Sequence, residues 1–300
     1  MAMPKAYLYG MILCSHQHRL EGSFPSPDGY AEVAESHHTV SGETANAAIV
    51  LSRLGFRCRV DGTWIGGHSA PTVLQGLAAF GVDVARLVPR AGYEGPEESV
   101  FSDASTRTIF GPFKRLLFTT RQWNEPQASD VAEADLCLVD AMFGEESIQA
   151  ARLAKREGKP LVGVDCAFDS PLMGLTDVVA VSREHLGFTY PGKSREDLMP
   201  RYLENAAGLV VMTEGSKDVM FARKGQAVRR FEGFKVPSVD TLGAGDTFKA
   251  GLGYGLYRGM GDEELVRFAS AVAAINCTRF PGVQQSPTLV EVEAFLAERR

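Results

Sequence analysis

From Asp240 the chain reads Asp240-Thr241-Leu242-Gly243-Ala244-Gly245-Asp246-Thr247-Phe248-Lys249-Ala250-Gly251, with acids on both sides of a Gly-Ala-Gly turn and little bulk ahead of Phe248. The preceding Val236-Pro237-Ser238-Val239 has an extended composition, and the residues from Asp246 onward have a helical one. Successive unprotected N–H groups at a helix start form an anion site, and the helix dipole adds to it. The small residues Gly243, Ala244 and Gly245 would let a phosphate approach the backbone closely. Asp246 would then stand at the edge of an anion hole, placed to accept a proton from a hydroxyl that attacks a phosphoryl group. Asp is equally a good helix N-cap, so spacing alone leaves cap and base evenly balanced. The stretch does not fit G-x-x-x-x-G-K-[ST], and no G-x-G-x-x-G follows the first strand. The later Gly251-Leu252-Gly253-Tyr254-Gly255 also fails that spacing and reads as close helix packing.

Such a turn has to be held at the end of a strand. Ala6–Leu13, Leu136–Asp140, Leu161–Asp165, Val178–Val181 and Gly208–Thr213 are short apolar runs of the kind found in buried parallel strands. Between them lie helical patterns at Thr44–Leu54, Ser69–Phe80, Glu146–Glu157 and Glu263–Thr278, the first three stopped by Gly55, Gly81 and Gly158. Strand alternating with helix predicts a three-layer α/β sandwich around a mostly parallel sheet. Two segments break the alternation. Gln17–Val40 is polar and turn-rich, with large and small residues alternating over Tyr30–Glu35, and Ser99–Phe110 is strand-like with a turn at Asp103-Ala104-Ser105. These predict a small lid of antiparallel strands drawn from about residues 16–40 and 98–111, standing off a single domain that spans 1–300.

The 300 residues carry a net charge of −6, with 45% hydrophobic and 23% charged residues. That is the balance of an ordinary soluble globular protein with a full core. No Lys/Arg-rich run stands out, which argues against a nucleic-acid partner or an anionic membrane surface. Five cysteines are scattered among apolar neighbours without C-x-x-C, as expected of reduced thiols in a cytoplasmic protein. The N-terminal apolar run is too short and interrupted for a signal or spanning segment.

The D-T-L-G-A-G-D-T-F stretch closely resembles the signature of the ribokinase-like (PfkB) carbohydrate kinases. The resemblance extends along most of the chain. Gly42-Glu43-Thr44-Ala45-Asn46-Ala47-Ala48, followed by Leu51-Ser52-Arg53-Leu54-Gly55, is similar to the family's N-terminal sugar-binding motif and helix. Val210-Val211-Met212-Thr213-Glu214-Gly215 resembles its nucleotide-site strand and turn, and Asn276-Cys277-Thr278-Arg279-Phe280-Pro281-Gly282 its C-terminal nucleotide-side helix end. Val178 to Phe188 is similar to the ketohexokinase-like branch. The resemblance implies a Rossmann-like α/β sandwich with a β lid and transfer of the ATP γ-phosphoryl group to a sugar-type hydroxyl. Asp246 would be the base, with the amides of Gly243, Ala244 and Gly245 as anion hole. Gly42 and Asn46 would face the acceptor, while Ser182, Thr213, Gly215, Asn276 and Gly282 would lie on the nucleotide side. Mg2+ is expected with ATP, because the phosphate charge must be offset. Two further readings remain: a nucleoside kinase of the same fold, and a non-catalytic sugar- or nucleotide-sensing homologue.

Several positions depart from the family pattern. Where the family carries a substrate-binding Asp after its first strand, this chain has Ser15, and the Gly-Gly pair is Ser41-Gly42, followed by Glu43. Glu43 is therefore expected to take over hydroxyl recognition, since a carboxylate accepts from two hydroxyls. The family's N-x-x-E is replaced by Ser182-Arg183-Glu184-His185, leaving Asp165 or Glu184 to hold magnesium through waters. Asp218 stands where glycine is common. Arg107 resembles a lid arginine that could reach an anionic substituent, or it is a solvated or dimer-contact charge. Lys249 either contacts phosphate or is exposed. His16 and His18 share one face of an extended segment and are expected to line the pocket, an H-x-H metal site lacking a third ligand. His37 and His38 read as exposed lid residues. A lid of antiparallel strands offers an edge for a homodimer.

Overall fold

Leu136-Cys137-Leu138-Val139-Asp140 is buried along its whole length, as a strand covered on both faces must be. The computed structural model, which describes residues 3–103, 106–117 and 120–299, places it inside an eight-stranded sheet. The strand order is Arg229–Phe231, Val219–Ala222, Leu209–Met212, Val178–Val181, Leu161–Val164, Leu136–Asp140, Lys5–Gly10 and Arg57–Gly62. The strands from Leu209–Met212 to Arg57–Gly62 pair in parallel; Val219–Ala222 runs antiparallel to both its neighbours.

Period-two alternation divides the core. Ala6 and Leu8 point to one side, with helices Glu43–Arg53, Ala244–Tyr257 and Asp262–Asn276, while Tyr7 and Tyr9 point to the other, with Glu145–Arg156 and Arg195–Asn205. The expected three layers are present. Helix Ala244–Tyr257 lies against helix Asp262–Asn276 so closely that a Cβ on Gly251 would come within 2.7 Å of Ala269 Cα. That is the close packing expected of the Gly251–Gly255 run. Burying a side chain such as Leu252, fully enclosed on this helix, contributes about 1.5–3 kcal/mol.

The lid is a separate four-stranded sheet, ordered Val33–Ser41, Leu13–Leu20, Glu97–Ser102 and Arg107–Phe110. It begins earlier than expected, because the run read as one strand, Ala6–Leu13, is two. The core strand ends at Gly10, Met11 and Ile12 cross over, and Leu13 starts the lid. The break falls where a side chain has no room, since a Cβ on Gly10 would lie 2.4 Å from Asp140 Cβ and 2.6 Å from Thr44 Oγ1. Of the expected lid turn, Ala104 and Ser105 lie outside the described residues; Asp103 N donates to Thr106 O at 3.0 Å across it. The central lid pair, Leu13–Leu20 with Glu97–Ser102, is parallel rather than antiparallel. Among the described residues no helix is long and apolar enough to cross a membrane, and all five cysteines are free.

Candidate active site

The Gly-Ala-Gly turn opens helix Ala244–Tyr257, with Gly243 as its N-cap at φ 68°. A Cβ there would be 2.4 Å from Val283 Cγ2 and 3.3 Å from Asn46 Nδ2, so both backbone angle and space require glycine. Thr247 N donates back to Gly243 O at 2.9 Å, and Ala244 N reaches Thr241 O at 3.3 Å. The first-turn amides of Gly245 and Asp246 have no intrahelical acceptor, the ordinary condition of a helix start. Asp240 anchors the turn from behind. Its buried carboxylate accepts from Leu242 N at 2.9 Å and from Gly282 N at 3.4 Å.

Asp246 does not act as the cap. Its Oδ2 accepts from Asn46 Nδ2 at 2.8 Å, joining the N-terminal and C-terminal motifs across 200 positions. Asn46 sits in the first turn of helix Glu43–Arg53, whose N-cap Gly42 takes the Asn46 N–H at 2.8 Å. On the other side Lys249, one turn along the same helix, lies 3.5 Å from Asp246 Oδ1 and 2.9 Å from Asp165 Oδ2. Lys249 is buried, its side chain only 8% exposed, so the exposed alternative does not hold. Burial alone would lower the Lys249 pKa, but Asp165, Asp246 and Glu43 outweigh it and raise it. Burial would raise Asp165, yet Lys249 and the Ser182 N–H, 2.6 Å from Asp165 Oδ1, bring it below the usual range. Asp165 takes a positive φ of 48° at its strand end, a conformation Asp tolerates better than most residues.

Glu43 and Asp140 complete this charged floor. Asp140 ends its strand with Oδ1 accepting from Met142 N at 3.0 Å and Oδ2 from Met11 N at 3.3 Å. Burial pushes Asp140 up to about 6. Burial, then Asp140 and Asp246, push Glu43 up to about 8, with Lys249 pulling the other way. Glu43 thus belongs electrostatically with the floor. Asp140 was missed as a site residue because a strand-final Asp has no motif of its own.

The lid supplies the opposite wall. Ser15 is fully buried, and it pairs in register with Glu98 on the neighbouring strand, on which its hydroxyl acts. Glu98 is 7% exposed. Burial first, and Asp246 after it, raise its pKa, while the hydroxyls of Ser15 and Ser41 and the charge of Arg107 work against them. Sequence reading missed Glu98; the adjacent pair Glu97-Glu98 in an alternating strand was the available signal. His16 and His18 occupy the other face. His16 stacks on His38 at 4.0 Å, Cys14 Sγ contacts His38 Nε2 at 2.8 Å, and His18 stacks on Phe101 at 4.8 Å. They lie on the face opposite Ser15 and Glu98, and among the described residues no group of His, Cys, Asp or Glu is disposed to hold a metal ion. Arg107, on the outer lid strand, pairs with Glu184 at 3.3 Å.

On the far side of the sheet, Ser182 caps helix Arg183–Thr189, its Oγ accepting from His185 N at 3.1 Å. Thr213 N donates to Val181 O at 3.0 Å and leads into a turn with Gly215 at φ 59°. Buried Arg195 braces that turn through Glu214 at 2.9 Å and Asp218 at 2.8 Å. Asp218, the departure from glycine, is therefore an ion-pair partner. Asn276, fully buried, has neither Nδ2 nor Oδ1 satisfied, beside Gly282. An amide orphaned in this way fits a polar ligand edge. Magnesium fares differently. Asp165 has both oxygens engaged and Glu184 is paired with Arg107, so neither is free to ligate as it stands.

A helix-start Gly-Ala-Gly turn, two distant motifs meeting beside it, and a β lid over the carboxyl ends of a parallel sheet point to the class: an α/β small-molecule phosphotransferase of ribokinase-like fold. The model of the "pfkB family carbohydrate kinase" matches residues 3–289. Ketohexokinase of Mus musculus is 27% identical over 276 residues, covering 85% of this chain and 90% of that protein. Ribokinase of Haemophilus influenzae is 26% identical over 269 residues, covering 85% and 86%. The structure of Arabidopsis thaliana ribokinase complexed with ribose and ATP superposes with a TM-score of 0.77 at 19% identity, covering 99% of each chain. The chain belongs to the pfkB family of carbohydrate kinases, whose reaction is ATP-dependent phosphoryl transfer.

Proposed function

We propose that this protein transfers the ATP γ-phosphoryl group to a hydroxyl of a sugar-type acceptor bound between the lid and the helix Ala244–Tyr257. Asp246 is the general base, and the amides of Gly243, Ala244 and Gly245 receive the charge that develops on the transferred group. The contact that carries this reading is Asn46 Nδ2 to Asp246 Oδ2 at 2.8 Å. It holds the carboxylate beside the anion turn and leaves its Oδ1 to Lys249 at 3.5 Å. Gly42 and Asn46 face the acceptor; Thr213, Gly215, Asn276 and Gly282 form the nucleotide side, with Ser182 capping the helix beneath it. Magnesium enters with ATP as its complex, where it offsets phosphate charge.

The chain acts as one kinase domain over residues 1–300 in the cytoplasm. Its lid edges, Val33–Ser41 and Arg107–Phe110, are where two copies would pair, which sedimentation would check. The enzymatic reading is tested by ADP release across sugars, sugar acids, sulfosugars and nucleosides, with Asp246→Asn as control. Turnover of at least one sugar above that control is expected. Turnover of nucleosides alone would move the assignment to nucleoside kinase, and none with any compound would sink the reaction.

A further inference from the structure

We propose that Glu98 is a specificity-determining residue: its carboxylate, lowered from the lid opposite Ser15, accepts hydrogen bonds from hydroxyls of a neutral polyol acceptor. This rests on the kinase reading above and names the acceptor class for it. Three observations carry it. Ser15, where the family's substrate-binding Asp would fall, has only a short, buried side chain whose hydroxyl acts on Glu98. Glu98 is the residue directly across the strand pair from Ser15, so its longer side chain leaves from the adjacent strand on the same face of the lid. Glu98 is buried on that face and senses the charge of Asp246, which places it on the cleft side, opposite His16 and His18.

The charge around the cleft then selects the acceptor. Glu98 lies on one wall and Asp246 and Asp140 on the other, and Lys249 is already engaged by Asp165 and Asp246. Arg107, the lid cation, is paired with Glu184. A hydroxyl donor suits the Glu98 carboxylate, whereas a phosphate or carboxylate there would meet the like charge of Glu98 and Asp246, with Arg107 already held by Glu184. Glu43, by contrast, lies in the field of Asp140, Asp246 and Lys249.

The test compares wild type, Glu98→Gln, the double variant Ser15→Asp/Glu98→Gln, and Asp246→Asn. Calorimetry reads binding of D-fructose, D-ribose, D-gluconate and fructose 6-phosphate, and coupled assays read KM for sugar and for ATP. Wild type is expected to favour a neutral sugar. Glu98→Gln should weaken that sugar roughly 10- to 100-fold, the range for losing a charge-assisted hydrogen bond, with ATP KM within about 2-fold. Ser15→Asp in the Glu98→Gln background should restore part of the affinity, because register puts the new carboxylate across the same gap. A purely structural role would lower the melting temperature without that rescue. Neutral-sugar affinity unchanged in Glu98→Gln, or a wild-type preference for the anionic compounds, would overturn the proposal. Failure of the reaction reads out separately: wild-type turnover no higher than Asp246→Asn refutes the base while Glu98-dependent sugar binding stands.

Discussion

The two walls of the cleft are built on opposite plans. On the floor almost every charged atom is committed: Asp165 to Lys249 and the Ser182 amide, Asp140 to the Met11 and Met142 amides, Asp246 to Asn46 and Lys249. On the lid, Glu98 is buried with only the Ser15 and Ser41 hydroxyls acting on it, and on the nucleotide side the whole Asn276 amide is buried and unpartnered. A reaction common to a family gains from groups that are oriented before the substrate arrives, because no reorganisation is needed at the transition state. Recognition gains from groups that only the right ligand satisfies, because an analogue lacking the matching hydroxyl leaves them unpaired. Under the proposed function, the committed floor suits the chemistry and the lid the choice of substrate.

The largest expected effect breaks the floor at its centre. Asp246→Asn keeps the shape and the Asn46 contact but removes the proton acceptor, and kcat should fall by about 10²–10⁴-fold, the range for general-base catalysis. Sugar affinity should largely hold, because Gly42, Asn46 and Glu98 are untouched. A loss confined to sugar KM would place Asp246 among the recognition groups and dissolve the distinction. Next is Lys249→Met, which leaves Asp165 and Asp246 facing each other without their shared cation. Removing one partner of a buried ion pair costs about 3–5 kcal/mol, so urea unfolding should shift by that amount, accompanied by lost activity. A shift of about 1 kcal/mol or less, the value of an exposed pair, would show the floor to be hydrated rather than ionically locked.

How much of this was legible beforehand follows from the same contrast. The anion turn could be read because its geometry demands glycine: Gly243 has φ 68° and no space for a Cβ. The lid was legible as a break in strand–helix alternation. Its facing was not, because a strand's two faces are interchangeable until its register is known. The run Ala6–Leu13 looked continuous, but the chain changes sheets at Gly10–Ile12, and His16 and His18 fall outward while Ser15 and Gln17 fall inward. Glu98 was hidden for the same reason, since only the pairing with Ser15 gives it a place. Lys249 was left between phosphate contact and exposure because its main partner, Asp165, lies 84 positions away.

Glu43 is the residue on which the two plans can be separated, and its effect is the smallest. Its folded pKa is raised to about 8 from 4.5, by burial first and then by Asp140 and Asp246. Between those values the folded protein keeps a proton that the unfolded chain has released. The unfolded state then binds fewer protons, so stability falls as pH rises. The contribution is complete below pH 4.5 and lost as pH passes 8; Asp140, raised to about 6 from 3.8, adds the same sign over a lower window. Glu43→Gln cannot ionise and removes its part of the slope. Its melting temperature should match wild type near pH 5 and exceed it by several degrees near pH 8.5. Parallel melting curves from pH 5 to 8.5 would mean that Glu43 stays ionised in the folded protein, solvated and open to a ligand. Glu43 would then pass from the chemical floor to the recognition wall, where a carboxylate replacing the missing Asp was first expected.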